Sequence, residues 1–264
     1  MALIHETNEY HIPRGRVYFD PENPNTGLNT GEEPFGNCPG FTIAIATEKA
    51  EHFSSQTGLR QKDATTTVEV SRTATITVDN MSAENFARYL SGSFETVSQT
   101  SGNVTDETIT VKKGRIYQIG KTTANPAGVR NITNVVVTDQ AGTTTYAVNT
   151  DYALDLERGR LQILAGGSIV DDAAIKVDYT KPAATWQRIK TGGVAELVGA
   201  IHVIADNASG EKRDWYMPKV NLTPSGDLPV IAEGTDYTSM TFEAEILVPA
   251  NGEAIYVDGL PLAE

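Results

Sequence analysis

The stretch TTTVEVSRTATITV, residues 65–78, decides the fold. Val68, Val70, Ala74, Ile76 and Val78 fall on one parity; Thr67, Glu69, Ser71, Thr73, Thr75 and Thr77 fall on the other. Successive side chains of a strand point to opposite faces, so this alternation predicts a long, half-buried strand. Arg72 interrupts the apolar face and marks a bulge or a twist. Upstream, FTIAIAT (41–47) puts Phe41, Ile43 and Ile45 on one face and predicts a second strand. Between the two lies EKAEHFSSQTGLRQKDA (48–64), which has no apolar periodicity from Lys49 to Ala64. Structureless loops beyond about 12–15 residues are uncommon in compact domains and usually functional or disordered. This one is expected to be an extended excursion from a hairpin.

Downstream, SAENFARYLSG (82–92) predicts a short helix. Ser82 suits the N-cap, Glu84 the positive helix end, and Gly92 the left-handed residue past the last turn. A helix of about nine residues is unstable alone in water and must lie against a sheet. RGRVYFD (14–20) reads as a first strand, followed by a Pro/Gly/Asn-dense loop over 21–40. SGNVTDETITVKKGR (101–115) reads as part of a hairpin. Over 116–184 the character shifts to short strands between Gly, Asn and Asp turns: ITNVVVTD, TTYAVN, YALDL, RLQILA and AIKVDYT. LERGRLQIL has the look of a tight hairpin about Arg158-Gly159. The last quarter resumes longer strands, and in SMTFEAEILVPA (239–250) Met240, Phe242, Ala244, Ile246 and Val248 alternate with Thr241, Glu243, Glu245 and Leu247.

The chain has 264 residues, 39% hydrophobic and 21% charged, enough for a real core. No apolar run reaches the roughly 18 residues of a membrane span. The N-terminus lacks a basic region followed by an apolar core, so a cytosolic, soluble product is expected. A net charge of −13 argues against gripping a phosphate backbone. No Lys or Arg follows Lys219, whereas Asp227, Glu233, Asp236, Glu243, Glu245, Glu253, Asp258 and Glu264 do.

Catalytic chemistry finds little footing. His52 beside Ser54 and Ser55 supplies two parts of a nucleophilic site, without a G-x-S-x-G elbow or an orienting third group. The acidic pairs Glu32-Glu33 and Asp171-Asp172 sit in turn-like contexts. Neither a P-loop nor a dinucleotide fingerprint occurs. Cys38 has no basic neighbours to lower its pKa and reads as an inert thiol. His5 and His11, with Glu6 and Glu9 between them, are the nearest approach to a metal set, on a terminus poorly suited to form a cage. No metal and no cofactor is expected. Trp186 and Trp215 offer a sugar-stacking alternative.

The block EKAEHFSSQTGLRQKDATTTVEVSRTATITVDNMSAENFARYLSG (48–92) resembles the core of the tail tube proteins (major tail proteins) of long, non-contractile bacteriophage tails. The similarity rests on Glu51-His52, Ser54-Ser55, Gly58, Arg60 and Lys62-Asp63 in the loop, then on Ser82 and Glu84-Asn85 at the helix start. It extends over 36–92, and RGRVYF before it also fits. NTDYALDLERGRLQILAGGSIVDDAAIKVDYT (149–180) resembles an extra β segment of larger members.

The resemblance implies a mainly β fold: two packed antiparallel sheets, a sandwich or half-barrel, with one flanking α-helix and a small β insertion. The core would be 1–115 and 185–264, and the insertion 116–184. It implies a non-enzymatic virion protein, assembled in the host cytoplasm as hexameric rings stacked into a hollow tube for phage DNA. The partners implied are further copies of the chain and the tape measure, tail tip and tail terminator proteins. DNA would pass without specific binding, and no membrane is involved. The residues between copies would be Glu48, Lys49, Glu51, His52, Phe53, Ser54, Ser55, Gln56, Thr57, Gly58, Leu59, Arg60, Lys62 and Asp63. An acidic lining would repel phosphates, and strand parity nominates Glu243, Glu245 and Glu69 for it. The rival readings are another virion β protein, such as a fibre or spike subunit, and a carbohydrate-binding module.

Overall fold

A computed structural model describes residues 10–56, 58–193 and 196–261. The chain divides into two compact units: one takes the chain up to Phe94 and from Ile189 onward, the other is Glu95–Arg188. In chain order, unit 1 opens with β1 (Gly15–Pro21), β2 (Glu33–Pro34), β3 (Gly40–Ser54), β4 (Gln61–Val78) and helix α1 (Ala83–Tyr89). β5 (Gly92–Gln99) leads out. Unit 2 holds β6 (Gly102–Val111), β7 (Ile116–Gln118), β8 (Thr133–Asp139), β9 (Tyr152–Asp155), β10 (Arg160–Ile163) and β11 (Ala173–Lys181). β12 (Ala184–Thr191) leads back, and β13 (Leu197–Ala205), β14 (Arg213–Ser225), β15 (Met240–Ile246) and β16 (Tyr256–Gly259) complete unit 1. The protein is mainly β, antiparallel, with a single short helix among the described residues, and the sandwich-like class expected from the sequence holds.

Unit 1 is one eight-stranded sheet in the order β2-β1-β13-β14-β15-β4-β3, with β16 pairing the first part of β14. Its apolar face gathers Val17, Phe19, Ala74, Ile76, Met217, Leu222 and Phe242 into one core. β1 and β3 are five strand spacings apart, about 24 Å in a flat sheet. Arg14–Val17 and Gly40–Ile43 nevertheless line the same groove, so the sheet curls over its own apolar face like a half-barrel. Phe35 plugs that face, its ring 6.3 Å from Phe19 and 5.6 Å from Phe242.

α1 locks the plug. Ser82 caps it as expected, accepting from the Asn85 amide at 3.2 Å. Asn85 is fully buried; its Nδ2 donates to Phe35 O at 2.8 Å and Asn80 O at 2.9 Å, and its Oδ1 accepts from Arg88 at 2.7 Å. Arg88 also meets Glu33 and lies 5.0 Å over the Phe35 ring. The end of the helix differs from expectation. Ser91, at φ 48°, takes the left-handed position, while Gly92 already belongs to β5. A Cβ on Gly92 would stand 2.0 Å from Lys190 O, so close strand approach explains this glycine.

Unit 2 packs the three-stranded sheets β6-β11-β8 and β7-β10-β9 around Ile119, Ile132, Val137, Leu161, Ile163, Ile175 and Val177. Its limits, 95 and 188, are wider than the expected 116 and 184. The reason is pairing at long sequence distance: β6 pairs with β11, and β5 with β12, so residues 95–115 form no hairpin of their own. TTYAVN forms only isolated bridges. The turn at Arg158-Gly159 is present, with Gly159 at φ 63°. Asp151 is the polar anchor of this unit. Its carboxylate accepts from the Ser168 amide and hydroxyl and from the Ala147 amide, each at 2.8 Å, and these bonds hold its pKa below the usual carboxylate range.

Two substitutions test these locks. Asn85→Ala orphans the Asn80 carbonyl, leaves Phe35 O only a longer 3.3 Å bond from Asn80 and removes one bond of a buried guanidinium, and should destabilise the protein by about 2–4 kcal/mol, read as a lowered urea midpoint. Asp151 stabilises the fold at neutral pH, and that contribution disappears as pH falls through its lowered pKa. Asp151→Asn should therefore flatten the fall of melting temperature with acidification below about pH 4.

Candidate functional site: a projecting hairpin and an open groove

The stretch expected as an extended excursion from a hairpin is a continuation of the paired strands themselves. β3 and β4 pair from Gly40↔Thr77 to Ser54↔Gln61. β15 covers β4 only along Thr73–Val78. Beyond Ala46 and Ser71 the hairpin is a free two-stranded ribbon. Counted from Ala46 to Ser54, nine residues at about 3.3 Å each make an arm of about 30 Å. Nearly all its side chains are exposed, including Val68 and Val70, which the alternation had assigned to the core. The buried stripe of β4 begins only at Ala74.

Two register shifts explain why no periodicity was visible. Between Glu48 and Lys49 the partner jumps from Glu69 to Thr67; between His52 and Phe53 it jumps from Ala64 to Lys62. Each leaves one extra residue in β4, Val68 and Asp63, and resets the side-chain parity. Of the bulge or twist expected at Arg72, the bulge is absent, since Arg72 pairs regularly with Ile45.

The candidate contact residues are mostly engaged with one another. His52 Nδ1 lies 2.5 Å from Asp63, Lys62 pairs with Glu51, and Arg60 stacks 4.5 Å over Phe53. Ser54 Oγ accepts from the Gln56 amide at 3.4 Å, and Ser55 is exposed. His52 is thus turned to a carboxylate rather than to either serine. Gly58 and Leu59 are exposed at the tip, and Thr57 lies outside the described residues. Farther back, Glu48 and Glu69 stand directly opposite each other, a destabilising like-charge pair.

Of the three residues nominated for a lining, Glu69 lies on this arm rather than over the body of the sheet. Glu243 and Glu245 are exposed on the outward face of β15. Their cross-strand neighbours are Thr75 and Thr223 for Glu243, and Thr73 and Asn221 for Glu245. Asn221 Oδ1 is buried without a hydrogen-bond partner among the described residues.

A groove of about 1670 Å³ opens at the other side of the sheet, between the start of β1 and the start of β3. Val17, Phe41, Ile43, Val203, Trp215 and Val257 line it, with Arg14 and Arg16 at its rim. Cys38 lies there too, its thiol pushed up to about 11 by burial and by Asp79, so it is poorly nucleophilic. A further apolar surface went unnoticed in the sequence: Val230, Ile231 and Tyr237, almost wholly exposed between β14 and β15. Nothing short of the tertiary contacts separates these residues from core. His11 is exposed and His5 lies outside the described residues; among the described residues no three His, Cys, Asp or Glu side chains gather as a metal set. Nor is any helix there long and apolar enough to cross a membrane.

Residues 10–252 match the model of a family described as protein of unknown function UCP028589. The chain belongs to that family. No curated protein matches it. The family match spans both units, so the insertion between β5 and β12 lies within the matched length.

Because the arm makes no packing contact that the core requires, it should be removable. Replacing residues 48–69 with an Asn-Gly turn between the paired Thr47 and Val70 should leave the thermal midpoint within about 4 °C of the parent, a change of under about 1 kcal/mol. A collapse of the folded state would show that the arm is part of the core.

Proposed function

We propose that this protein is a structural virion subunit, the tail tube protein of a long non-contractile bacteriophage tail. Copies form hexameric rings that stack into a hollow tube for DNA. The arm carries this reading. A lone two-stranded ribbon is marginal in water, and an edge with free amides invites pairing. Here no described strand pairs with either edge of a 30 Å ribbon (about nine residues at 3.3 Å each), and Ile45, Val68 and Val70 stand exposed along it. A surface of this kind is completed by another chain. When the contact joins unlike patches of identical copies, it propagates into rings and filaments.

The outward face of β4 and β15 supports the conduit part of the reading. It is rich in threonine and bears Glu243 and Glu245, which would repel DNA phosphates within about 8 Å at physiological salt. Unit 2 is an elaboration on this frame, because the chain enters and leaves it through the paired strands β5 and β12. The resemblance over 36–92 supplies the ring and tube geometry.

Negative-stain microscopy of concentrated protein should show hollow tubes or stacked six-fold rings. The arm-trimmed protein should stay folded but stop at single rings or monomers. Trimeric spikes from the parent chain would overturn the tube reading, and undiminished tubes after trimming would overturn the role of the arm.

A further inference from the structure

We infer that the groove between β1 and β3 of one copy receives the β3–β4 arm of a second copy. This rests on the self-assembly reading above and assigns the receptor for the arm.

The first argument is the match of edges. The curled sheet does not close. β2 pairs with Tyr18 and Phe19, and Phe35 N donates to Val17 O, so the open edge of β1 is its start, Gly15 and Arg16, while no strand among those described covers the outer edge of β3. Two free edges therefore flank the groove, and the arm brings two free edges of its own. Insertion of a hairpin into such a gap is strand addition, in which main-chain hydrogen bonds supply affinity and alternate side chains supply specificity.

The second argument is the agreement of faces. Register places Ile45 and Val70 on the parity of Ile43 and Ala74, the apolar side of the sheet. Val203 and Trp215, which pair with each other, lie on the same side in the groove. A hairpin continuing the sheet would turn its exposed apolar residues onto this half-buried apolar floor, of which Trp215 is the more open part. The opposite parity carries Glu48 and Glu69 on the arm and Arg16 on β1, and Arg14 stands just before that strand.

The third argument is charge. Glu48 and Glu69 repel each other and have no cationic partner among the described residues. Arg14 and Arg16 are exposed on the rim; the Arg14 guanidinium donates to the carbonyl of its neighbour Pro13, and among the described residues neither guanidinium makes a salt bridge. Placing the two carboxylates against the two guanidinium groups relieves the repulsion. The arm is the outer part of β3, the same strand whose start, Gly40–Ile43, forms one wall of the groove, so it leads away from its own groove. The receiving groove belongs to another copy.

Charge reversal tests this in trans. E48R/E69R alters only the arm, and R14E/R16E only the rim; all four positions are exposed, and circular dichroism checks that each variant folds. Each variant alone should lose assembly about tenfold or more in sedimentation, because arm and groove then carry like charge. An equimolar mixture should recover it, since every arm then finds an opposite rim. Assembly unaffected by either variant overturns the docking while leaving the tube reading standing. So does impairment without recovery on mixing, which would give the groove to another segment, such as the loop carrying Val230 and Ile231. A parent chain that stays monomeric overturns both. Association into short oligomers that mixing rescues, without six-fold rings, supports the docking and overturns the tube.

Discussion

The outer edge of β3 is paired with no strand described in this chain. An antiparallel sheet that does not close leaves two such rows of amides and carbonyls, and unsatisfied backbone groups are the strongest reason for a β surface to acquire a partner. Soluble monomers blunt their edges with short strands, prolines or inward charges. This sheet does so at one end, where β2 is two residues long and includes Pro34. At the other end it extends the edge into a ribbon far beyond its own core. That geometry organises everything else about the molecule.

The body of unit 1 is built to hold the ribbon steady. The Phe35 plug, the buried Asn85 and the Arg88 guanidinium tie α1 to one part of the concave face. β4 is anchored against β15 through Ala74, Ile76 and Val78, all fully buried. From that root the strand runs out with no further tertiary support. The tip instead has local bonds, His52 with Asp63, Lys62 with Glu51, and Arg60 on Phe53, which keep the two chains together. Exposed ion pairs are individually weak. Clustered at a tip, they fix register without hardening the whole arm.

The division of labour between the two faces follows from the same sheet. One side carries the core and, past it, the open groove. The other presents threonines and the carboxylates of Glu243 and Glu245, with one unsatisfied amide oxygen on Asn221. Unit 2 has its own core and its own polar anchors, Asp151 among them, and joins through a paired strand at each crossing. An insertion placed that way leaves the register of unit 1 intact.

Local pattern was enough for several elements. Alternation in β1, β15 and the inner part of β4 follows from one face meeting a core, and Ser82 marks the helix start because its hydroxyl can serve a free amide. Tertiary structure alone decided the rest. The arm is strand although it has no apolar period, because neither of its faces is buried and two bulges reset its parity. Val68 and Val70 belong to the alternation yet lie outside the core, since β15 ends at Ile246 and covers nothing beyond Thr73. Gly92 has the look of a helix cap, yet it is needed where two strands nearly touch. The limits of unit 2 come from pairings between residues some 70 positions apart, such as Val104 with Tyr179, which no local window contains. Parity and propensity act within a few residues; which edge stays open is settled only when distant strands find each other.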